Sequence, residues 1–146
     1  MSVNVGQRHV TNTMSNTRSK VLQEIGKFEK HTFKITKNKK YFFKEYDDTI
    51  TLPMLQTIVD VYTDCYVANN IYVSNYNDFV RRYKYQKRAI ENMKRVIGYL
   101  MIAQEVFHLR LNRYEYWFDL YSKGNEALVN WHKADIKRYG QKFNKI

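Results

Sequence analysis

The chain has 146 residues and a formal net charge of +11, with 44% hydrophobic and 27% charged residues. This length and composition fit a single globular domain, and they exclude a disordered tail or a protein with two separate cores. The excess of positive charge is typical of proteins that bind nucleic acid, an acidic protein or an anionic membrane surface.

Turn-forming residues are scarce, since the chain contains one proline and five glycines. Long helices therefore fit better than a β-sandwich or barrel, which needs many tight turns. The single cysteine, Cys65, excludes an intramolecular disulfide and fits a reducing cytosol. No apolar run reaches the ~18 residues of a membrane span, and residues 1–20 lack the apolar core of a signal peptide. We therefore expect a cytoplasmic protein that does not enter a membrane.

The N-terminal half predicts an arm and two helices. Residues 1–16 read as a flexible polar arm, and the first helix follows from about Thr17 to Lys37. The second helix begins near Thr51, where Pro53 suits a first turn, and continues to about Val73. Its predicted core stripe consists of Leu52, Leu55, Ile58, Val59, Tyr62, Tyr66 and Val73.

The C-terminal half predicts two more helices. "SNYND" supplies capping residues, and the third helix runs from about Asp78 to His108 with apolar residues at alternating steps of four and three. The fourth helix carries Trp117 and Trp131, and residues 140–146 read as a basic tail. Helices of this length with short connections predict an all-α, antiparallel up-and-down four-helix bundle over residues 17–139.

Charge is unevenly distributed along the chain. Residues 17–46 hold nine basic and three acidic side chains, and residues 79–111 hold eight and two. Residues 47–78 contain five aspartates and neither lysine nor arginine. The first and third helices are therefore cationic, while the second is acidic. This division suits an assembly in which the acidic flank of one subunit meets the basic flank of another.

The third helix presents a row of cations. On a helical wheel, Arg81, Lys84, Arg88 and Arg95 lie opposite the apolar seam, and Arg82, Lys87 and Lys94 flank that seam. Glu91 alone interrupts the row, so most of the charge lacks an i,i+4 partner. A phosphate backbone would neutralise such a row. The candidate nucleic-acid-binding residues are these seven, together with Lys30, Lys34 and Lys37 of the first helix. An ordinary solvated face and an acidic protein partner remain the alternatives.

Additional apolar residues suggest burial on a second side. Tyr85, Val96, Tyr99 and Ala103 lie away from both the seam and the cationic row. A helix in an isolated bundle needs only one apolar arc. We therefore predict a homo-oligomer, with an interface formed by Asp60, Asp64, Tyr85, Val96 and Tyr99. A compact bundle that covers more of each helix would explain the same pattern.

Catalytic and metal-binding patterns are weak. The four histidines are isolated, and Glu105 with His108 forms a single i,i+3 pair that lacks the second pair of a di-metal bundle. Cys65 lies on an apolar helix without a basic neighbour, which favours a buried structural thiol. No glycine-rich phosphate loop, CxxC pair or serine-nucleophile motif occurs. We therefore expect no enzymatic activity, no cofactor and no metal.

The order of segments resembles a known family. "NKKYFFKEYDDTITLPMLQTIVDVYTDCYVANNIYV" is followed by the basic "RRYKYQKRAIENMKRVIGYLMIAQEVFHL" and a Trp-containing last helix. Over residues 20–139 this succession resembles the four-helix-bundle proteins related to the ribosomal intervening-sequence proteins, and most closely the Avd (accessory variability determinant) proteins of diversity-generating retroelements. Asn69 and Asn70 near the end of the second helix are part of the likeness, although capping of that helix explains them equally. The N-terminal arm departs from the family pattern.

The resemblance implies a non-catalytic accessory protein. Members of this kind form a cyclic homo-oligomer, typically a pentamer, with a cationic surface. The assembly binds a partner reverse transcriptase and template RNA, and it supports mutagenic synthesis of complementary DNA. A helical interaction module or regulator of a phage or mobile element is the alternative.

Overall fold

Four α-helices form most of the described chain. A computed structural model describes the backbone of residues 5–143 and the side chains of residues 20–143. The helices are α1 (Val5–Thr36), α2 (Leu52–Asn69), α3 (Tyr76–Phe107) and α4 (Leu111–Phe143), and no strand occurs among the described residues. The predicted all-α fold is confirmed.

Two helices are longer than the sequence predicted. α1 begins at Val5 rather than near residue 17, and α4 continues to Phe143, inside the predicted basic tail. The ring of Phe143 lies 6.1 Å from that of Tyr76 and 6.5 Å from that of Phe79, so aromatic packing extends α4.

The predicted flexible arm stays a prediction. Residues 1–4 and 144–146, and the side chains of residues 5–19, lie outside the described residues.

Helix ends follow the signals in the sequence. Pro53 lies in the first turn of α2, as predicted. Asn75 caps α3 by accepting a hydrogen bond from the backbone N–H of Asp78 at 2.9 Å, and the hydroxyl of Ser74 donates to the Asp78 carboxylate at 2.8 Å. α3 ends where His108 adopts a left-handed conformation with a φ of 54°. The predicted caps and the helix-end role of His108 are confirmed.

Each helix packs against two others. α1 and α3 both pack against α2 and α4, so they occupy opposite corners of the four. The contacts between α1 and α4 run in opposite sequence order. Thr32 and Phe28 of α1 contact Trp117 and Tyr121 of α4, respectively.

An aromatic cluster lies at each end of the helices, and the two ends are called the Phe42 end and the Phe79 end. At the Phe42 end, the ring of Phe42 lies 4.9 Å from Phe107 and 5.8 Å from Trp117, so the last turn of α3 meets the first turns of α4. At the Phe79 end, the ring of Phe79 lies 5.5 Å from Tyr139. The predicted cations from Arg81 to Arg88 lie in the half of α3 nearer the Phe79 end, and Lys94 and Arg95 lie just past its middle.

The face of α2 that enters the core differs from the prediction. Met54, Val61, Cys65 and Ala68 are fully buried together with the predicted Ile58. Among the residues of the predicted stripe, Leu52 and Tyr66 are instead 53% and 55% exposed. Relative to the prediction, α2 is therefore rotated about its axis, because its packing against α3 buries the arc that contains Met54, Val61 and Cys65.

Candidate nucleic-acid interface

The outer side of α3 carries most of the predicted cations. The apolar seam of α3 faces α2 and α4, which leaves the remaining positions in solvent. Six of the seven cations predicted there are exposed, namely Arg81, Lys84, Lys87, Arg88, Lys94 and Arg95. We call these six residues the α3 cationic surface.

Carboxylates on α3 neutralise part of this surface. Glu91 lies 3.2 Å from the ammonium of Lys94 and 3.8 Å from that of Lys87, and Asp78 lies 3.5 Å from the guanidinium of Arg81. Hydrogen bonds from Ser74 lower the pKa of Asp78, so this carboxylate is ionised at neutral pH. These contacts are exposed pairs that another anion can replace at small cost.

Lys84 and Arg95 carry the unneutralised charge. Among the described residues, no carboxylate lies within 4.0 Å of either side chain. Both are exposed and stand eleven residues apart, which corresponds to about 16 Å along the helix. The surface can therefore contact several consecutive phosphates of one strand.

Arg88 is bound within the chain rather than free. Its Nε and one Nη donate to the two carboxylate oxygens of Asp64 on α2, at 2.9 and 2.7 Å. This bidentate pair raises the pKa of Arg88. The guanidinium also lies 5.1 Å from the ring centroid of Tyr85. The predicted outward role of Arg88 needs this correction, although its side chain remains 62% exposed.

Arg82 is not part of the surface, and its assignment to nucleic-acid binding is corrected. Its side chain is 2% exposed and forms a buried ion pair with Asp135 of α4, with Nε at 2.5 Å and Nη2 at 3.1 Å from the two carboxylate oxygens. Its other Nη lies 3.4 Å from the carbonyl oxygen of Ile71, and the guanidinium lies 5.1 Å from the ring of Trp131.

The buried pair belongs to a polar network between α3 and α4. The amide nitrogen of Gln86 donates to Asp135 at 2.7 Å, and the amide oxygen of Gln86 lies 2.8 Å from Nδ1 of His132. Because that oxygen only accepts, Nδ1 of His132 carries the proton and donates. Burial lowers the pKa of His132. The network is structural, since all four side chains are buried.

The residues predicted to form an oligomer interface differ in burial. Val96 is fully buried in the core and Asp64 is buried against Arg88, so neither is available to a second subunit. Tyr85 and Tyr99 are half-buried at the edge of the core, and Asp60 is exposed and accepts a hydrogen bond from Gln56 at 3.0 Å. The compact bundle explains the wide apolar arc of α3, and part of the charge division is satisfied between α2 and α3.

The lysines of α1 lie elsewhere. Lys30, Lys34 and Lys37 are exposed, but α1 occupies the corner opposite α3. Their segment also lies toward the Phe42 end, because Thr32 contacts Trp117. The two predicted cationic groups therefore do not form one continuous face.

Two features at the Phe79 end were not predicted from the sequence. α4 brings exposed cations there, namely Lys133, Lys137, Arg138 and Lys142. Their local density was visible in the sequence, but only the antiparallel packing of α3 and α4 places them at the same end as Arg81 and Lys84. Tyr72, in the connection between α2 and α3, is 77% exposed and offers an aromatic face. Exposed aromatic rings beside cations are typical of single-strand binding.

The side chains that could ligate a metal or act as a nucleophile are dispersed or buried in the described part of the chain. Among them, no group of three or more histidine, cysteine, aspartate or glutamate side chains is placed to hold a metal ion. Cys65 is fully buried, as predicted, and burial raises its thiol pKa to about 12. Asn70 confirms the predicted capping role, since its side-chain amide donates to the carbonyl of Tyr66 at 2.8 Å.

Comparisons of the chain with models of known families, with curated proteins and with solved structures found no match. The resemblance to the Avd proteins therefore rests on the residues quoted for it and stays a prediction. In the described part of the chain, none of the helices combines the length and apolarity that crossing a bilayer requires.

Proposed function

We propose that this chain is a non-catalytic nucleic-acid-binding protein whose α3 cationic surface contacts the phosphates of single-stranded RNA or DNA. The main support for this proposal is that Lys84 and Arg95 are exposed on one face of α3 without a carboxylate partner among the described residues. The cations of α4 at the Phe79 end extend the positive potential, and Tyr72 supplies a ring on which a base can stack.

The resemblance refines this proposal. We infer from it that the chain is an accessory protein of a diversity-generating retroelement, an up-and-down bundle that assembles into a cyclic homo-oligomer and binds the partner reverse transcriptase with its template RNA. A reverse-transcriptase gene and a pair of repeats next to the gene for this chain would support the refinement. Their absence would contradict it without affecting the binding proposal.

Charge reversal tests the binding surface. The triple variant Arg81→Glu/Lys84→Glu/Arg95→Glu changes exposed positions only, so helix content should be retained. We expect its affinity for a single-stranded RNA to fall at least about tenfold at moderate salt. The slope of log affinity against log salt should decrease by about 2, since each lost phosphate contact removes about 0.7. Fluorescence anisotropy over a salt series measures both quantities.

A matched variant controls for total charge. Lys20→Glu/Lys27→Glu/Lys40→Glu makes the same change in net charge at exposed positions outside α3 and outside the candidate binding residues. It should lose much less affinity, because charges farther apart than ~10 Å are largely screened at 0.1 M salt. Equal losses in the two triple variants, or none in the α3 variant, would sink the proposal.

The second candidate is a protein-interaction module, and the exposed arc of α2 favours it. Leu52 and Tyr66 are more than half exposed, and Leu55, Val59 and Tyr62 between them are half-buried along the same side. A continuous apolar stripe of this kind is typical of helices that pack against a partner. Under this alternative, the α3 triple variant binds single-stranded RNA no more weakly than the unchanged chain. Leu52→Gln/Tyr66→Gln removes association with a protein partner, a second copy of the chain included, in sedimentation velocity.

A further inference from the structure

A cavity of about 450 Å³ opens at the Phe42 end of the molecule. Its wall comes from α1, from the connection that precedes α2, and from residues 109–116 at the start of α4. α3 itself contributes no residue to this wall. The volume falls within the range of small-molecule sites, which is about 300–1,000 Å³.

The wall of the cavity favours an anion. Lys34, Arg110 and Arg113 line it, and none of the described residues in the wall is a carboxylate. The guanidinium of Arg113 lies 5.9 Å from the ring centroid of Tyr41, within the range of a cation–π contact. The cavity also lies beside the first turn of α4, where the helix dipole favours negative charge. Arginine and lysine bind phosphate by charge-assisted hydrogen bonds.

The same wall offers flat aromatic surface. Tyr116 is 56% exposed, and its ring lies 5.0 Å from that of His31 at an angle of 79°, an edge-to-face contact that holds it in place. Burial, together with the nearby charge of Lys34, lowers the pKa of His31, so its imidazole is neutral at pH 7. A nucleobase stacks readily on an exposed tyrosine ring.

The cavity is preformed. Phe42 in its floor is 2% exposed and packs on Phe107 and Trp117. The carbonyl of Asn38 accepts hydrogen bonds from the backbone N–H groups of Tyr41 and Phe42, at 3.2 and 2.9 Å. A rigid wall lowers the entropic cost of binding.

From this combination of cations, aromatic rings and enclosure, we propose that the cavity binds a nucleoside phosphate, either a free nucleotide or the phosphorylated 5′ end of a strand. The phosphate contacts Lys34, Arg110 and Arg113, and the base stacks on Tyr116. This site does not depend on the function proposed for α3, because α3 contributes none of its lining residues.

Isothermal titration calorimetry with adenosine 5′-monophosphate tests the proposal. We expect the nucleotide to bind more tightly than adenosine or inorganic phosphate, because each of those offers only half of the contacts. Lys34→Glu should weaken nucleotide binding at least about tenfold, as expected for loss of a charged hydrogen-bond partner. Tyr116→Ala should weaken it at least about fivefold through loss of stacking. Both positions are exposed, so circular dichroism should show an unchanged helix content.

The control is Lys20→Glu, which makes the same charge change on α1 at a distance of fourteen residues, about 21 Å, from Lys34 and outside the cavity wall. It should alter nucleotide affinity by no more than about twofold, because an exposed charge at that distance is screened at 0.1 M salt. The α3 triple variant should retain nucleotide binding, so a failure of the α3 proposal is distinguishable from a failure of this one.

A 5′-phosphorylated tetra-adenylate and its 5′-hydroxyl counterpart identify the source of the ligand. These strands are titrated into the α3 triple variant, so that binding by the α3 cationic surface does not contribute. Tighter binding of the phosphorylated strand than of both the mononucleotide and the 5′-hydroxyl strand assigns the site to strand ends, and tighter binding of the mononucleotide assigns it to free nucleotides. The proposal is overturned if no nucleotide binds saturably, if inorganic phosphate binds as tightly as the nucleotide, or if Lys34→Glu and Tyr116→Ala leave the affinity unchanged.

Discussion

Removing the carboxylate of Asp135 should destabilise the fold severely. In the variant Asp135→Ala, the buried guanidinium of Arg82 loses both of its acceptors on Asp135, and the amide of Gln86 loses its acceptor as well. The side chains of the pair are 2% and 4% exposed, so water cannot replace the lost bonds. An uncompensated buried charge costs about 3–5 kcal/mol. For a chain of this size, the midpoint of thermal unfolding should fall by about 10–20 °C.

Chemical denaturation followed by far-ultraviolet circular dichroism measures this loss. The matched control is Asp64→Ala, which breaks the other bidentate pair but leaves Arg88 62% exposed to water. That variant should lose no more than about 1 kcal/mol of the free energy of unfolding. The double variant Arg82→Met/Asp135→Leu removes both buried charges and should unfold at clearly higher denaturant than Asp135→Ala.

Two results would refute this reasoning. One is an equal loss in Asp135→Ala and Asp64→Ala, which would mean that burial does not distinguish the two pairs. The other is a double variant no more stable than Asp135→Ala, which would mean that the lost stability is not the cost of an unpaired charge.

Three further predictions concern single residues. Burial raises the pKa of the Cys65 thiol to about 12, so Cys65 should react with a thiol reagent at pH 8 far more slowly in the native state than in urea. Equal reaction rates in the two states would contradict its burial. The pKa of His132 is lowered by burial, against the opposing charge of Asp135, so the native state binds fewer protons than the unfolded one. The contribution of His132 to stability is therefore complete above the unfolded pKa of about 6.5 and is lost as pH falls below it. The free energy of unfolding of His132→Gln should therefore decline less between pH 7.5 and 5 than that of the unchanged chain. Gly98→Ala on α3 should stabilise the protein by up to about 1 kcal/mol in thermal melts, because alanine favours the helix and a Cβ at this position meets no atom within 4 Å. A loss of stability would contradict this open space.

Local signals in the sequence predicted the four helices and the start of α3, although the bounds of α1 and α4 differ from the prediction. Asn75 and Asp78 form the expected cap, and the buried residues of α3 recur every three or four positions. These features depend on residues a few positions apart, so the sequence contains all the information they need.

Which face of α2 is buried could not be predicted from such local signals. This helix has apolar residues on two arcs, one containing Leu55 and Tyr62 and the other Met54 and Val61, and both show helical spacing. Only the position of α3 decides which arc is buried, and that position depends on the whole packing.

The difference in burial between Arg81 and Arg82 could not be predicted from local signals either. The two are adjacent and identical in type, yet one is exposed and the other is buried. The partner that determines this, Asp135, lies 53 residues further along the chain. A lone acidic residue on the otherwise basic last part of α4 was the available signal.

The buried Arg82–Asp135 pair also has a consequence for how α3 and α4 align. Both helices present repeated apolar side chains to each other, and such seams tolerate a slip of one heptad, about 10 Å along the axis. A slip of seven residues would place Arg82 opposite Leu128 rather than Asp135, leaving a charge against an apolar side chain. The pair therefore penalises that alignment of the two helices. A chain with apolar residues at both positions could be equally stable, but its seam would not distinguish the two registers, and only the short connection of residues 108–110 would favour the native one.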